Sequence, residues 1–568
     1  MHVDVVPNRG SRPAYLLRES FREGRKVRKR TLANLSSLPD EQIFAIRSIL
    51  RGQRLHPAGE LFEAIASRPH GHVEAVRVAM RRLGFDSLVA SRPSRQRDVV
   101  CALVAARIVA PHTKLATTRW WHTTTLAEDF GVADADEDEV YAAMDWLLER
   151  QRPIEKKIAA RHLGEGSLVL YDLSSSYFEG TTCPLARLGH NRDGKKGKLQ
   201  VNYGLLADRR GCPVAVSVFE GNTSDSTTLM PQVEKIQKGL GIQTVVLVGD
   251  RGMISQRAIN ELREQDRIAW ITALKTGQIR ALVEGEQLQL GLFDDRNLFE
   301  LSHPDFPGER LIACRNPELA KLRAHKRQSL LEATEKELQK VHDMVARGRL
   351  SGRDKIGVRV GKVVNKYKVA KHFALDIEDR RFHFRRLEEK IASEAALDGI
   401  YIIRTSLGTK QMAGADCVRN YKSLAQVERA FRSLKTIDLK IRPIHHHLAD
   451  RVRSHIFLCM LAYYVEWHMR EAWRPLLFAD EDQGAKATRD PVAPAKRSAA
   501  AQTKAATHTL DDGTPAHSFA TLQQELATMV RNTCRAPNAT DSAPTFEITT
   551  IANPKQRRAL DLLRTIRV

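Results

Sequence analysis

Apolar positions divide the chain into stretches of different period. From about 56 to 163 they recur at helical spacing, as in Val99, Leu103, Val104 and Ile108, or Tyr141, Met144, Leu147 and Leu148, which predicts an all-helical N-terminal domain. Ahead of it, residues 13–35 mix Tyr15, Leu16 and Leu17 with Arg25, Lys26, Arg28, Lys29 and Arg30, the pattern of a short basic hairpin. Between Ser167 and Ala273 the period shortens to β-rich runs: SLVLYDL, LQVNYGLLAD and CPVAVSVFEG, then a helical stretch and TVVLVGD. The turn-like Asp208-Arg209-Arg210-Gly211 joins the second and third runs. Three strands in succession, a helix and a buried strand predict a mixed α/β sheet with a ribonuclease-H-like layout.

Residues 276 to about 398 interrupt that sheet before the strand GIYIIRTS returns at Gly399. The interruption reads as a turn-rich piece (Leu288 to Pro307), a long helix, a β-like piece (Ile356 to Ile377) and a short charged helix. Asn316-Pro317-Glu318 opens the long helix with an N-cap and a proline at its first position. Leu331, Leu338 and Val345 recur at sevens along it, the spacing of a helix that packs on a partner, either as a core stripe or as an oligomer seam. A helix at 421–437, an apolar helix from Arg451 to Trp473 and an Ala-, Lys-, Pro- and Thr-rich stretch at 483–516 follow. The last of these has linker composition.

The expected organisation is therefore multidomain α/β: a ribonuclease-H-like mixed-sheet catalytic domain interrupted by an inserted domain, with a helical N-terminal domain. Its segments are a basic hairpin-like start (1–50), a helical DNA-binding domain (51–165), the first part of the catalytic domain (166–275), the insertion (276–398), the second part of the catalytic domain (399–478), a flexible linker (479–517) and a small C-terminal segment (518–568).

Composition narrows the partners. Of 568 residues, 90 are Lys or Arg and 68 Asp or Glu, a net charge of +22, which favours a polyanion such as nucleic acid over small neutral ligands. Seven cysteines with no CxxC pair argue against a zinc ribbon or a disulfide framework. The longest strongly apolar stretch, Ile456 to Val465, falls short of the ~18 residues of a membrane span. The expectation is a soluble, cytoplasmic, nucleoid-associated protein.

Against this basic background three acids stand where their neighbours give them no structural excuse. Asp172 ends the apolar run Leu168 to Tyr171, and Asp250 ends Val245 to Gly249. A carboxylate at such a place costs burial energy unless something pairs with it. Two strand-end acids and a third from a helix across the sheet can hold the two hard divalent ions, ~3.5–4 Å apart, that phosphodiester chemistry uses. Glu428 suits the third role. It lies in YKSLAQVERAFRSLK, where Leu424, Val427, Phe431 and Leu434 form the apolar stripe. Lys435 and Tyr421, seven residues to either side, would share its face on a continuous helix.

Tyr421-x2-Leu424-x3-Glu428-x6-Lys435 resembles the Tyr-x2-Arg-x3-Glu-x6-Lys signature of bacterial DDE transposases of the insertion-sequence-four group, with Leu424 in place of the arginine. The block DLSSSYFEG opened by Asp172, the turn GNTSD, VGDRGM around Asp250 and the insertion before the third acid resemble the same group, over roughly 165–470. The resemblance implies that Asp172, Asp250 and Glu428 bind two Mg²⁺ ions, with Mn²⁺ able to substitute, and that the chain cuts transposon ends and joins their 3′ hydroxyls to target DNA. It implies phosphate contacts at Tyr421 and Lys435, with Arg429 and Arg432 nearby to replace the missing arginine. Its partners would be double-stranded DNA, both terminal inverted repeats and target, and a second copy of the chain in the paired-end complex. The implied insertion grips the transposon end; 276–398 contains no tryptophan.

Other residues admit two readings. Lys195, Lys196 and Lys198, with His190 to Asp193, precede the second strand, where DNA would approach, or form a solvated loop with Asp193 at the surface. Asp225 is a fourth ligand or, more simply, a turn and cap residue. The consecutive His445, His446 and His447 cannot all reach one ion without a special loop. Trp120 and Trp121 suit a helical core. Two alternatives to a transposase keep the same fold: a structure-specific nuclease without strand transfer, and an inactive DNA-binding descendant of a transposase.

Overall fold

The structure is a computed structural model and describes residues 1–53, 61–265, 267–285, 293–294 and 297–568. The chain opens with strands β1 (His2–Asn8), β2 (Ser11–Glu23) and β3 (Lys26–Asn34) and helix α1 (Asp40–Leu50). Strand β4 (Glu63–Pro69) leads into α2 (Gly71–Arg82), α3 (Phe85–Val89), α4 (Arg95–Val109), α5 (Lys114–Trp120), α6 (Leu126–Asp129), α7 (Glu137–Glu149) and α8 (Gln151–His162). Next come β5 (Ser167–Tyr177), β6 (Gln200–Asp208), β7 (Pro213–Glu220), α9 (Leu229–Glu234), β8 (Val245–Val248), α10 (Gln256–Arg263), β9 (Ile268–Ala273), α11 (Thr276–Glu284), β10 (Leu298–Leu301) and β11 (Arg310–Arg315). An excursion of α12 (Pro317–Ala346), α13 (Arg353–Tyr367), β12 (Phe373–Ile377), β13 (Phe382–Arg386) and α14 (Glu388–Ala395) returns at β14 (Ile400–Thr405). The rest is α15 (Gly414–Lys422), α16 (Leu424–Arg432), α17 (Ala449–Ala472), α18 (Gln483–Thr488), α19 (Ala499–Thr507), α20 (Phe519–Ala527), β15 (Val530–Arg535), β16 (Thr545–Thr549) and α21 (Pro554–Arg564).

Two compact units emerge: Met1–Arg68 with Met529–Ile551, and Pro69–Thr528 with Ala552–Val568. The first holds two three-stranded sheets, ordered β1-β2-β3 and β16-β15-β4. The basic hairpin of the sequence is β2–β3, and β3 is exposed along its whole length. Asp4 anchors it, accepting from Arg18 at 3.0 Å and Lys29 at 2.9 Å. The segment 63–69, expected within a helical stretch, is strand β4; residues 54–60 of that stretch lie outside the described residues.

The second unit is built on an eight-stranded sheet ordered β10-β11-β14-β9-β8-β5-β6-β7. β5, β8 and β9 run parallel; the remaining neighbours pair antiparallel. The apolar runs explain the placing: β6, antiparallel to both its neighbours, is buried along its whole length, and the central parallel strands β5 and β8 are covered on both faces. Helix α17, buried from Ser454 to Met469, packs against α4, α7 and β7. No single helix among the described residues is long and apolar enough to cross a membrane. All seven cysteines are free and buried.

Three expectations change, and one open alternative is settled. β10 and β11 extend the main sheet, so only 317–395 departs from it; residues 288–292 and 295–296 of the turn-rich piece lie outside the described residues. The supposed β-like segment from Ile356 is largely α13: Ile356, Val360, Val363 and Val364 are buried at helical spacing, and that periodicity overrides β-branched propensity. Leu331, Leu338 and Val345 form a core stripe with these residues, Phe373 and Phe382, so the heptad positions are filled within the chain. The stretch expected to be a flexible linker packs down: Val492 is buried and its carbonyl accepts from Asn316 Nδ2 at 2.8 Å.

A buried ion cluster ties the sheet to α10. The Glu309 carboxylate, fully buried, accepts from Arg404 Nε and Nη2, both at 2.5 Å, and from Arg263 Nη2 at 2.6 Å.

Candidate active site

Strand pairing sets the site. Leu170 of β5 lies opposite Val248 of β8 in parallel register, so Asp172, in the middle of β5, stands level with Asp250 just beyond the end of β8. Asp250 caps the turn beyond β8: its Oδ1 accepts from Gly252 N at 2.6 Å and Met253 N at 3.0 Å. Glycine suits the turn, because a Cβ on Gly252 would sit 3.0 Å from that oxygen and press on the carboxylate. Helix α16 crosses β5 on Val427, Ala430 and Phe431, all buried, and presents the exposed Glu428 to the same cleft. That cleft, about 460 Å³, is lined by Asp172, Asp250 and Glu428, with Ser174, Arg192, Asp193, Asp225, Arg432, Lys435 and Arg442 also on its wall.

The pairing of its acids is uneven. Asp225 meets Arg192 at 2.5 Å; Asp193, with a side chain only 2% exposed, is held by Lys435 at 2.6 Å and by Arg442. Asp172, Asp250 and Glu428 have no cationic partner among the described residues. Asp172 accepts only from its neighbour Leu173 N at 2.8 Å, and Asp250 only from its own turn. Burial pushes the Asp172 carboxyl up to about 7, and repulsion from Asp250 and Glu428 adds to it. Three mutually repelling carboxylates in a chain with surplus cations suit a hard divalent ion by charge and by donor type, since such ions prefer oxygen. These residues fit that group.

The signature segment is not one helix. It breaks between α15 and α16, so Tyr421 lies on the preceding helix and is not on the cleft wall; burial chiefly, with the charges of Asp250, Glu428 and Asp172 adding to it against Arg251, raises its phenol to about 12. Beyond α16 the backbone widens into a π-helical turn, Ser433–Ile437, which aims Lys435 Nζ at Asp193 and, at 3.2 Å, at Ser174 Oγ. Leu424, in the arginine position, is buried at the start of α16. Arg432 lines the cleft, whereas Arg429 does not.

The loop 190–198 is divided. Arg192 and Asp193 turn into the cleft, while Lys195, Lys196 and Lys198 are exposed and outside its wall; Lys198 pairs with Glu179 at 2.9 Å. Asp193 is therefore buried rather than superficial, and Asp225 pairs with arginine rather than capping. Their signal in the sequence is only local charge density. The three histidines diverge: His447 meets Thr182 at 2.8 Å, and His446 packs on His455 and Tyr141. Trp121 is fully buried.

The π-helical turn rests on α17. Ser433 Oγ donates to Glu466 at 2.9 Å, and Arg470 bridges Glu466 at 2.6 Å and Asp438 at 2.8 Å. Burial, against Arg470 and reinforced by Asp438, pushes the Glu466 carboxyl from 4.5 up to about 7. The folded state then holds this proton more tightly than the unfolded chain. Stability from this group is greatest at low pH and is lost as pH rises from about 4.5 through about 7. Glu466→Gln is expected to shrink the fall in thermal midpoint between pH 5 and pH 8; an unchanged fall would place the proton elsewhere.

Among curated proteins no relative matches the chain. A solved structure titled "Cryo-EM structure of piggyBac transposase synaptic complex with hairpin DNA" matches at 9% identity over 80% of this chain and 77% of that one, with a TM-score of 0.34. Residues 3–60 match the N-terminal domain of IS1634 family transposases, a different family from the insertion-sequence-four group that the signature helix resembles. Residues 178–465, from just after Asp172 to past Lys435, match the transposase DDE domain, and the chain belongs to that family of transposases.

Proposed function

We propose that Asp172, Asp250 and Glu428 hold two Mg²⁺ ions, replaceable by Mn²⁺, and that the cleft cuts transposon ends and transfers their 3′ hydroxyls to target DNA. The observation that carries this reading is the selective neglect of these three acids: the two others on the cleft wall, Asp193 and Asp225, are neutralised by Lys435, Arg442 and Arg192. The five strands β7-β6-β5-β8-β9, three antiparallel and then parallel neighbours, support a ribonuclease-H-like core. The signature helix supports kinship with the insertion-sequence-four group. Bound there, the divalent ions would lower the pKa of water or of a 3′ hydroxyl and neutralise the charge developing on the phosphate.

This chain's own residues supply the rest. The backbone of the 250–253 turn fixes one carboxylate, burial of α16 fixes another, and Lys435 and Arg432 line the approach of a phosphate. In the first step water attacks phosphorus, the bond to the 3′ oxygen breaks, and the end keeps a 3′ hydroxyl. In the second that oxygen attacks a target phosphodiester, loses its proton to solvent and displaces the target's 3′ oxygen. Two ends call for two clefts, hence a homodimer. The excursion 317–395 offers exposed Lys321, Arg323, Lys326, Arg359 and Lys362 to the transposon end, and β3 offers Arg28 and Arg30 to flanking phosphates.

Strand transfer separates this reading from a nuclease. Pre-cut ends incubated with target DNA and Mg²⁺ are expected to give joined products; release of fragments with no joining would overturn it. Lys435→Ala is expected to slow joining about ten- to a hundredfold, the worth of one charge-assisted hydrogen bond of roughly 1.5–3 kcal/mol. Undiminished joining would remove Lys435 from the phosphate path.

A further inference from the structure

We propose that His162, Cys212 and His468 form a separate binding site for one Zn²⁺ ion, which fastens the β6–β7 turn to α8 and α17. The three come from different elements: His162 ends α8, Cys212 follows β6 at the turn, and His468 lies on α17. Their ligand atoms all lie within 4.8 Å of one another. Cys212 Sγ is 3.9 Å from Nε2 of each histidine. Tetrahedral zinc, with bonds of about 2.3 Å to sulfur and about 2.0 Å to nitrogen, sets that separation at roughly 3.6 Å, so a shift of a few tenths of an ångström would seat the ion.

The surroundings suit a metal better than a packed polar core. The His162 side chain is only 3% exposed, its Nδ1 has no hydrogen-bond partner, and Asp208 Oδ2 stands 3.9 Å from it. Metal-bound histidines commonly direct the second ring nitrogen at a carboxylate, which fixes the tautomer. Asp208 is itself fixed by Arg210 N at 2.8 Å and Cys212 N at 2.9 Å, so one residue shapes the turn that presents the thiol and faces the histidine behind it. Thiolate and imidazole donors select zinc over Mg²⁺. The fourth ligand would be water or the Tyr464 hydroxyl, which lies 3.1 Å from His162 Nε2.

The site has a structural consequence for the cleft while being chemically independent of it. Gly211, at φ +86°, lies under α16: a Cβ there would come within 2.6 Å of Gln426 Cβ. Glu428 is two residues further on, so a cation that steadies this turn also steadies the helix that carries the acid.

Cobalt(II) titrated into the full-length, chelator-treated, reduced protein tests this. The expected result is a thiolate-to-cobalt absorption in the near ultraviolet that saturates at one equivalent, persists in Asp250→Asn and is reversed by Zn²⁺. It should vanish in Cys212→Ser and in His468→Gln. Absence of the band from the folded wild type would overturn the site, as would its survival in Cys212→Ser, which would move it to Cys459 and His455. Should Cys212→Ser fail to fold, His468→Gln decides by the same band.

Discussion

Asp250→Asn and Glu428→Gln are each expected to lower Mg²⁺-dependent cutting of the element's ends by at least about a thousandfold while leaving DNA binding within about twofold. Both changes keep the shape of the side chain and remove one charge from a site where nothing else balances a cation. Metal stabilisation of a phosphoryl transition state is worth several kcal/mol, and ~4 kcal/mol is a factor of about a thousand. Binding survives because it rests on the basic surplus of +22, and removing an anion beside the phosphates does not weaken it. Asp172→Asn should match them in activity. It should also stabilise the metal-free protein at pH 8, where the wild type ionises a carboxyl whose burial holds it at about 7. Gel-shift titration beside a cleavage assay checks all three. Equal cutting by Glu428→Gln would mean that α16 carries the wrong acid.

Glu309→Ala is expected to be the most damaging single change for stability away from the cleft. Its carboxylate is fully enclosed and answers Arg404, whose side chain is 4% exposed, as well as Arg263. Loss of the acid leaves a buried guanidinium on β14 without a counter-charge, which costs about 3–5 kcal/mol. For a unit of this size that is a fall of roughly 3–5 °C in the thermal midpoint. Replacing Glu309 and Arg404 together by Leu and Met should recover most of it, because the penalty comes from the orphaned charge rather than from loss of the pair. A midpoint within 2 °C of wild type for Glu309→Ala would show that water reaches Arg404.

The central strands are legible in the sequence because each is a short apolar run ended by a polar break, as in Val245–Val248 before Gly249 and Asp250. Asp172, Asp250 and Glu428 stand out for the same reason: a carboxylate next to an apolar run needs an explanation. What escapes the sequence is non-local. Nothing near Leu298 or Arg310 announces that these residues extend the main sheet, since register with β14 is settled across the whole excursion. Asp193 looks superficial amid Lys195 and Lys196, and becomes buried only because Lys435 and Arg442 arrive from the far end of the domain. Val358, Val360, Val363 and Val364 favour a strand one residue at a time, whereas their spacing, read with Ile356, is helical. The break at Ser423 and the widened turn at Ser433 are likewise invisible to a count of seven, although the fold still delivers Lys435 to the cleft wall.

The most direct test of the central claim, that Asp172, Asp250 and Glu428 surround one divalent-cation site, is iron-mediated backbone cleavage. Fe²⁺ takes the place of Mg²⁺, and radicals generated with ascorbate and peroxide cut the chain where the ion sits. The account predicts fragments ending near 172, 250 and 428, all suppressed by excess Mg²⁺ and all lost together in Asp250→Asn. Cuts confined to one of these segments, or unaffected by Mg²⁺, would contradict it.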